Sequence, residues 1–363
     1  AGDPCCGPLC PTFDKDAGSK TTYQYLKMFV KMGYSVKFLG DNFLHEEPYS
    51  TTLQQMGVEI LYGPGYQAGI WDWLTKNKDE IDFAYLNRPH IAIKYIDFIK
   101  KNTNIKVIYY GHDLHFLREY REYELTGDIQ KKRESDYWKS IEFSLMEKAA
   151  VSYYPSYVEE EAIHAIHPEY KIRAITAYVY EKFLENIDKD FEKREGLLFV
   201  GGFAHPPNAD AVLWFAKEIF PLIRQKLDVN FYVVGSKVTD EIKALEQPGS
   251  GIIVKGFVTE EELASLYSTS RIVVVPLRYG AGVKGKVVEA VYNGSAIVTT
   301  SIGSEGIPEA ERVMKVADGP EAFADRLSRC TRIRRSVAEC ARRRRSIFVS
   351  ISVSRRRGRS LKE

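Results

Sequence analysis

The densest group of residues fit for chemistry lies in Pro276-Leu-Arg-Tyr-Gly-Ala-Gly-Val-Lys-Gly-Lys-Val-Val-Glu-Ala290. Gly280, Gly282 and Gly285 allow backbone N–H groups to come close to an anion, and a helix start behind them favours negative charge. Arg278, Lys284 and Lys286 add three cations, a combination that suits a diphosphate. Glu289 follows Lys286 by three positions, so both fall on nearly the same helical face. A carboxylate there can accept hydrogen bonds from ribose hydroxyls. A plain glycine turn before a solvated Lys/Glu helix would need none of this grouping.

Other loops offer less, but of the same kind. In Gly201-Gly-Phe-Ala-His-Pro-Pro-Asn-Ala-Asp210, Gly201 and Gly202 let the chain lie against a ligand. Pro207 and Asn208 suit a helix start, with Asn208 as cap. Ser301-Ile-Gly-Ser-Glu-Gly-Ile-Pro308 brings Glu305 to the same region. In Gly111-His-Asp-Leu-His115, His112 and Asp113 follow a strand, where a histidine can work near neutral pH. His112 and His115 have a spacing a metal can use, but no clear third ligand accompanies them, so no metal site is expected. Asp14-Lys-Asp-Ala-Gly-Ser-Lys20 precedes a helix whose start can receive a phosphate or a substrate oxygen near Gly18.

The elements that must position these loops alternate regularly. Strands are expected at Ser35–Leu39, Val58–Leu61, Phe83–Leu86, Lys106–Tyr110, Ala150–Tyr153 and Lys171–Ile175. After the polar stretch Glu181–Glu195 come Leu197–Val200, Asn230–Val234, Ile252–Val254, Arg271–Val275, Ala296–Thr299 and Val313–Val316. Helical patterns lie between them at Lys20–Met32, Ile91–Lys101, Lys132–Lys148, Ala209–Lys226, Glu260–Tyr267 and Val283–Tyr292. Strand–helix alternation implies parallel sheets with helices on both faces, in two doubly wound halves that meet near residues 178–195. Ligands then bind beyond the carboxyl ends of the strands, where such halves face one another.

The composition, 44% hydrophobic and 12% aromatic, can build proper cores. No apolar run approaches the roughly 20 residues of a membrane span, and no secretion leader is expected. The net charge of +2 averages two unlike sequences. Residues 326–363 hold 14 Lys+Arg against 2 Asp+Glu, a net of +12, while residues 1–325 hold 37 against 47, a net of −10. Cys5, Cys6, Cys10, Cys330 and Cys340 all sit near the ends, and the cysteine-free stretch between reads as a reducing compartment. The Arg-rich tail suits nucleic acid or an anionic surface, or else is an extension foreign to the body. The acidic body argues against nucleic acid spreading over it. The opening decapeptide, with Pro4, Pro8, Gly2 and Gly7, does not read as a buried strand, so both ends are expected to lack order.

Residues 197–325 resemble the donor domain of retaining glycosyltransferases of family 4. GGFAHPPNADA, PLRYGAGVKGKVVEA and TTSIGSEGI fall in that family's order and spacing. DKDAGS, LKMFVKMGYSVKFL and YYGHDLHF resemble the acceptor-side domain of bacterial members that build surface polysaccharides. The resemblance implies an α/β GT-B fold, two facing Rossmann-like domains of doubly wound parallel sheet. The expected division is an atypical segment 1–10, an acceptor-side domain 11–180, a linker 181–195, a donor domain 196–325 and an atypical tail 326–363.

The resemblance also implies roles. Arg278, Lys284 or Lys286, with the amides around Gly282, hold the donor diphosphate; Gly202 and Asn208 belong to the same site. Glu289 binds the ribose, Gly18 lies near the distal phosphate and the acceptor, and His112 faces the donor sugar. Many relatives carry a second glutamate eight residues before the Glu289 position; here Ala281 stands there, and Glu305 is nearby. The implied reaction is hexosyl transfer from a nucleoside-diphosphate sugar to a glycan or lipid-linked acceptor. It proceeds with retention, with no cofactor, with Arg278 and Lys286 in place of a metal, and with no nucleic-acid partner. A cytoplasmic location follows, with peripheral contact to the inner membrane face through Lys131–Arg133 and Lys100–Lys101, runs that are more commonly solvated faces. A GT-B-like sugar-nucleotide 2-epimerase and a catalytically impaired sugar-nucleotide-binding protein use the same cleft and stay open.

Overall fold

A computed structural model of the chain describes residues 2–7, 10–176, 178 and 193–332. It divides into two compact units, Ala1–Val179 and Tyr180–Glu363. The first holds β1 (Gly2–Gly7), β2 (Ser35–Gly40), β3 (Glu59–Ile60), β4 (Phe83–Asn87), β5 (Lys106–Tyr110), β6 (Val151–Tyr154) and β7 (Ile172–Ala174). They form one parallel sheet in the order β3-β2-β1-β4-β5-β6-β7. The second holds β8 (Glu195–Val200), β9 (Phe231–Val234), β10 (Ile252–Gly256), β11 (Ser270–Val275), β12 (Ala296–Thr299) and β13 (Lys315–Val316). Its order is β10-β9-β8-β11-β12-β13, again all parallel.

Every expected strand is present, within a few residues at each end. The helices follow suit, and the long pattern after β8 runs as Pro206–Trp214, a π-turn at Phe215–Ile219 and Phe220–Arg224. One expectation fails. The opening segment takes the place of the first strand: Gly2–Gly7 pairs residue for residue with Ser35–Gly40, and Cys5 and Cys6 pair with Tyr85 and Leu86. Pro4 lacks one N–H, but the ladder to β4 begins only beyond it, so its missing donor breaks no pairing there. The helix Pro320–Arg332 closes the described part of the second domain, and the remainder of the Arg-rich tail lies outside the described residues, as does most of the linker 181–195.

Sheets buried on both faces need near-continuous apolar strands. Leu197, Leu198, Phe199, Ile272, Val274 and Val275 accordingly lie fully buried in β8 and β11. Phe215, Phe220, Phe231 and Phe323 pack against one another beneath them. In the first domain Leu86, Ile96, Tyr109, Leu114, Leu145 and Tyr154 belong to one core cluster. Among the described residues no helix is long and apolar enough to cross a membrane.

In each sheet the strand order reverses at one point, between β1 and β4 and between β8 and β11. Chains leave such neighbouring strands in opposite directions, opening a crevice at their carboxyl ends. The loops after β8 and β11 are the two glycine-rich loops singled out above. At the end of β5, Gly111 packs against the Tyr154 ring, which a Cβ would meet at 2.2 Å. Gly111→Ala therefore overpacks this strand end and should destabilise the first domain by about 1–3 kcal/mol, read as a lowered denaturation midpoint. An unchanged midpoint would contradict the packing.

Candidate functional site

The second-domain crevice is built around Lys286. It stands in the first turn of the helix Gly285–Tyr292, which follows β11. Its ammonium donates to Asn208 Oδ1 and lies 4.4 Å from the centre of the Phe199 ring. The Asn208 Nδ2 donates in turn to the Gly202 carbonyl at 2.7 Å. Asn208 therefore does not cap its helix; it sits within the first turn of Pro206–Trp214 and ties the loop after β8 to the helix after β11. A Cβ on Gly201 would come within 2.8 Å of Lys286 Nζ and 2.9 Å of Asn208 Nδ2, so only glycine leaves room for this bridge. Although the residue as a whole is partly exposed, burial of its ammonium, with a smaller push from Lys284, lowers the Lys286 pKa to about 7.

The other two cations of the loop are held by carboxylates. Arg278 donates through Nε to Asp210 Oδ2 at 2.9 Å and through Nη2 to Oδ1, and stacks 5.7 Å from the Trp214 ring. Asp210 is two residues beyond Asn208, so the same helix is bridged twice to the loop after β11. Lys284 lies 3.5 Å from Glu305 and donates to the Gly282 carbonyl. Glu305 thus reaches the loop, through Lys284. Gly280 and Gly282 take φ values of 141° and 72°, a region where side chains are strained. Glu289 stands on the same helix as Lys286, and its Oε2 accepts from the buried Tyr267 hydroxyl at 3.2 Å. That bond fixes the direction of the carboxylate.

The first-domain crevice brings together Gly18, Asn87, Arg88 and His112. His112 follows β5 with φ 63°, and its Nε2 lies 3.1 Å from Asn87 Oδ1. Burial, followed by the positive charge of Arg88, holds its pKa well below the usual histidine range, so the ring is neutral. Asp113 is taken up elsewhere, by His115 at 3.1 Å and Arg118 at 2.6 Å. His112 and His115 therefore face different neighbours. Fully buried Glu142 accepts from the N–H groups of His115 and Phe116, both at 3.0 Å, and so anchors the helix His115–Thr126 directly behind the His112 turn. Burial lifts the Glu142 carboxyl to about 7.

Comparison with known proteins bears on what two such crevices do. Sucrose-phosphate synthase from Thermosynechococcus elongatus superposes with a TM-score of 0.72 at 14% identity, covering 99% of this chain and 98% of that one. The glycosyltransferase WaaG, involved in lipopolysaccharide biosynthesis, gives 0.65 at 12% identity over 95% of each chain. The fold is GT-B. HepE of Anabaena, solved in complex with UDP and glucose, shares this GT-B architecture with a TM-score of 0.71 at 13% identity over 99% of each chain. Residues 194–332 match the family model described as glycosyl transferases group 1. An uncharacterized 44.6 kDa protein in the cps region of Klebsiella pneumoniae is 32% identical over 116 residues, and the match spans 30% of its length and 30% of this chain. A GT-B fold with a group 1 match over its second domain supports sugar transfer.

Lys286, Glu289, Gly202, Asn208 and His112, singled out in the sequence, have partners here that the sequence did not name. Phe199 falls within a strand pattern, and Tyr267 and Asp210 within helical ones. Arg88 carried a usable signal: Asn87-Arg-Pro ends a strand and opens the helix Pro89–Asn102. The Lys286 chemistry is testable without a ligand. Its folded pKa lies below the unfolded value near 10.4, so the cost of burying its charge is complete below pH 7 and fades as pH rises toward 10. Lys286→Met should therefore gain stability over wild type near pH 6, and the gap should close by pH 10. A gap that stays constant across this range would contradict the buried ammonium.

Proposed function

We propose that the protein transfers a sugar from a nucleoside-diphosphate sugar to a hydroxyl of a glycan or lipid-linked acceptor, with retention of configuration. The observation that carries this reading is Lys286, an ammonium buried at the switch point of the second domain against a neutral amide oxygen and an aromatic face. A diphosphate is the stronger acceptor for such a group, and the loop around Gly282 offers amides beside it. Glu289, aimed by Tyr267, suits the ribose hydroxyls. As the bond from sugar to diphosphate breaks, negative charge grows on the leaving phosphate. Fixed cations aimed at that oxygen lower the barrier without reorganising during the step.

Arg278 takes a part different from the simplest expectation. With Nε and Nη2 given to Asp210, it braces the loop and keeps its remaining donors for the phosphate. Lys284 shares its charge with Glu305 and sets the field around Lys286. In this picture these cations take the place of a divalent metal. Neutral His112 in the first domain is suited to accept a hydrogen bond from a sugar hydroxyl through Nδ1, because Nε2 faces Asn87. The retained configuration fits a leaving phosphate that helps deprotonate the acceptor hydroxyl on the same face. The cps-region relative and the bacterial resemblance favour a surface polysaccharide as product.

Lys286→Ala and Glu289→Ala should each weaken nucleotide-sugar binding at least about tenfold and lower turnover to match, with the thermal midpoint largely kept. Calorimetric titration across a nucleotide-sugar panel checks this. Wild-type affinity in both variants would refute the site. His112→Ala should leave donor binding within about threefold and lower the transfer rate more than tenfold. Isomerised donor in place of a transferred sugar would instead identify a 2-epimerase.

A further inference from the structure

Around the turn that carries His112 lie buried charges for which sugar transfer has no direct use. His112 takes φ 63°, a region in which a side chain is strained, so its neighbours must hold it there. On the strand side Gly111 donates to the Tyr153 carbonyl at 3.1 Å, and Asp113 N to the Gly111 carbonyl at 2.8 Å. On the other side the helix His115–Thr126 begins three residues after His112. Leu114 stands at its N-cap, fully buried, with no side-chain group to accept from the first turn. Glu142, on the helix Ile129–Lys148, accepts there instead. Its Oε1 takes His115 N and its Oε2 takes Phe116 N, both at 3.0 Å.

The same carboxylate reaches the turn by a second route. His115 Nδ1 lies 3.1 Å from Asp113 Oδ1 and 3.7 Å from Glu142 Oε1, and the Trp138 ring lies 5.2 Å from the His115 ring. Asp113, next to His112 in the chain, accepts from Arg118 at 2.6 Å; Arg118 pairs in turn with Glu119, and Glu119 with Lys131. A helix cap alone needs none of this. An asparagine or aspartate in place of Leu114 would supply one without a buried charge. Burial, against the pull of His115 and the two N–H groups, lifts the Glu142 carboxyl to about 7. Burial also opposes a charge on the His115 ring, but Asp113, aided by Glu142, outweighs it and raises its pKa. The other groups that act on this pair are Arg118, Tyr109 of β5, Tyr154 of β6 and His90 at the start of Pro89–Asn102.

We propose that Glu142 and His115 are positioning residues for His112, holding its left-handed turn, and with it the direction of its ring, through the cap on His115–Thr126 and the Asp113 carboxylate. The proposal rests on the reading of His112 as the group that faces the donor sugar. Each Glu142 oxygen takes one N–H. Glutamine, with a single acceptor oxygen, must leave one of the two unmatched and removes the charge that His115 faces.

The full chain, labelled at its histidine rings, is followed by NMR from about pH 6 to 9. His112 itself stays neutral, so its resonance should move with the titration of its neighbours near pH 7, and Glu142→Gln should displace that midpoint. A flat His112 resonance in the wild type overturns the proposal, even where a variant does not fold, and so does an unchanged midpoint in folded Glu142→Gln. Rates carry the second test. Release of nucleoside diphosphate from the best binder of the nucleotide-sugar panel should fall at least about tenfold in Glu142→Gln and in His115→Asn, with donor affinity kept within about threefold. Combined with His112→Ala, neither substitution should lower the rate further, because both act through the same ring. Losses that multiply in the double variants overturn the proposal. His112→Ala at the wild-type rate refutes the reading beneath it, and the NMR titration, which needs no donor, then still decides whether Glu142 and His115 hold the turn.

Discussion

A buried ammonium set against an amide oxygen and an aromatic face is the constraint on which the second domain is arranged. Removing a cation from water is costly, and neither Asn208 nor Phe199 replaces the full hydration shell of Lys286. The arrangement persists because several features support it together. β8 and β11 are neighbours, so the loops after them meet. Gly201 leaves the space, Asn208 anchors its own amide on Gly202, and Arg278 with Asp210 adds a second bridge between the same elements. The result is a charge held ready at one place. A preorganised charge of this kind favours a transition state in which negative charge collects on a leaving phosphate.

The two domains solve the same problem with different residues. In each, the sheet order reverses once, and in each the end of a cationic side chain lies against a glycine: Lys286 beside Gly201, Arg88 beside Gly18. The likeness stops at the chemistry of the cation. Lysine in the second domain is a point charge whose proton is weakly held, whereas arginine in the first is a planar fork that can make two parallel bonds. Neutral His112, anchored through Asn87 and backed by the helix that Glu142 caps, stands near that guanidinium.

Much of this was readable before any coordinates, because the signals were local. Period and β-branching placed each strand from Ser35 onward, and three glycines with three cations marked the loop after β11. A glycine of the loop after β8 matters for a reason the pattern does not carry: Gly201 clears space for a side chain 85 residues further along. Partnerships of that range, Arg278 with Asp210 or Tyr267 with Glu289, depend on strand order, which alternation alone leaves open. β1 was missed for the opposite reason. Its proline and glycines speak locally against a strand, but a place between β2 and β4, with pairing to β4 confined to Cys5 and Cys6, accommodates them.

The most direct measurement is a crystal structure of the full chain with the nucleotide sugar that stabilises it most. The account predicts a diphosphate at the carboxyl ends of β8 and β11, within hydrogen-bond reach of Lys286 Nζ and the amides around Gly282, with the ribose hydroxyls on Glu289. Lys286 should exchange Asn208 Oδ1 for a phosphate oxygen. A nucleotide sugar bound elsewhere, with the Lys286–Asn208 bond intact, would contradict it.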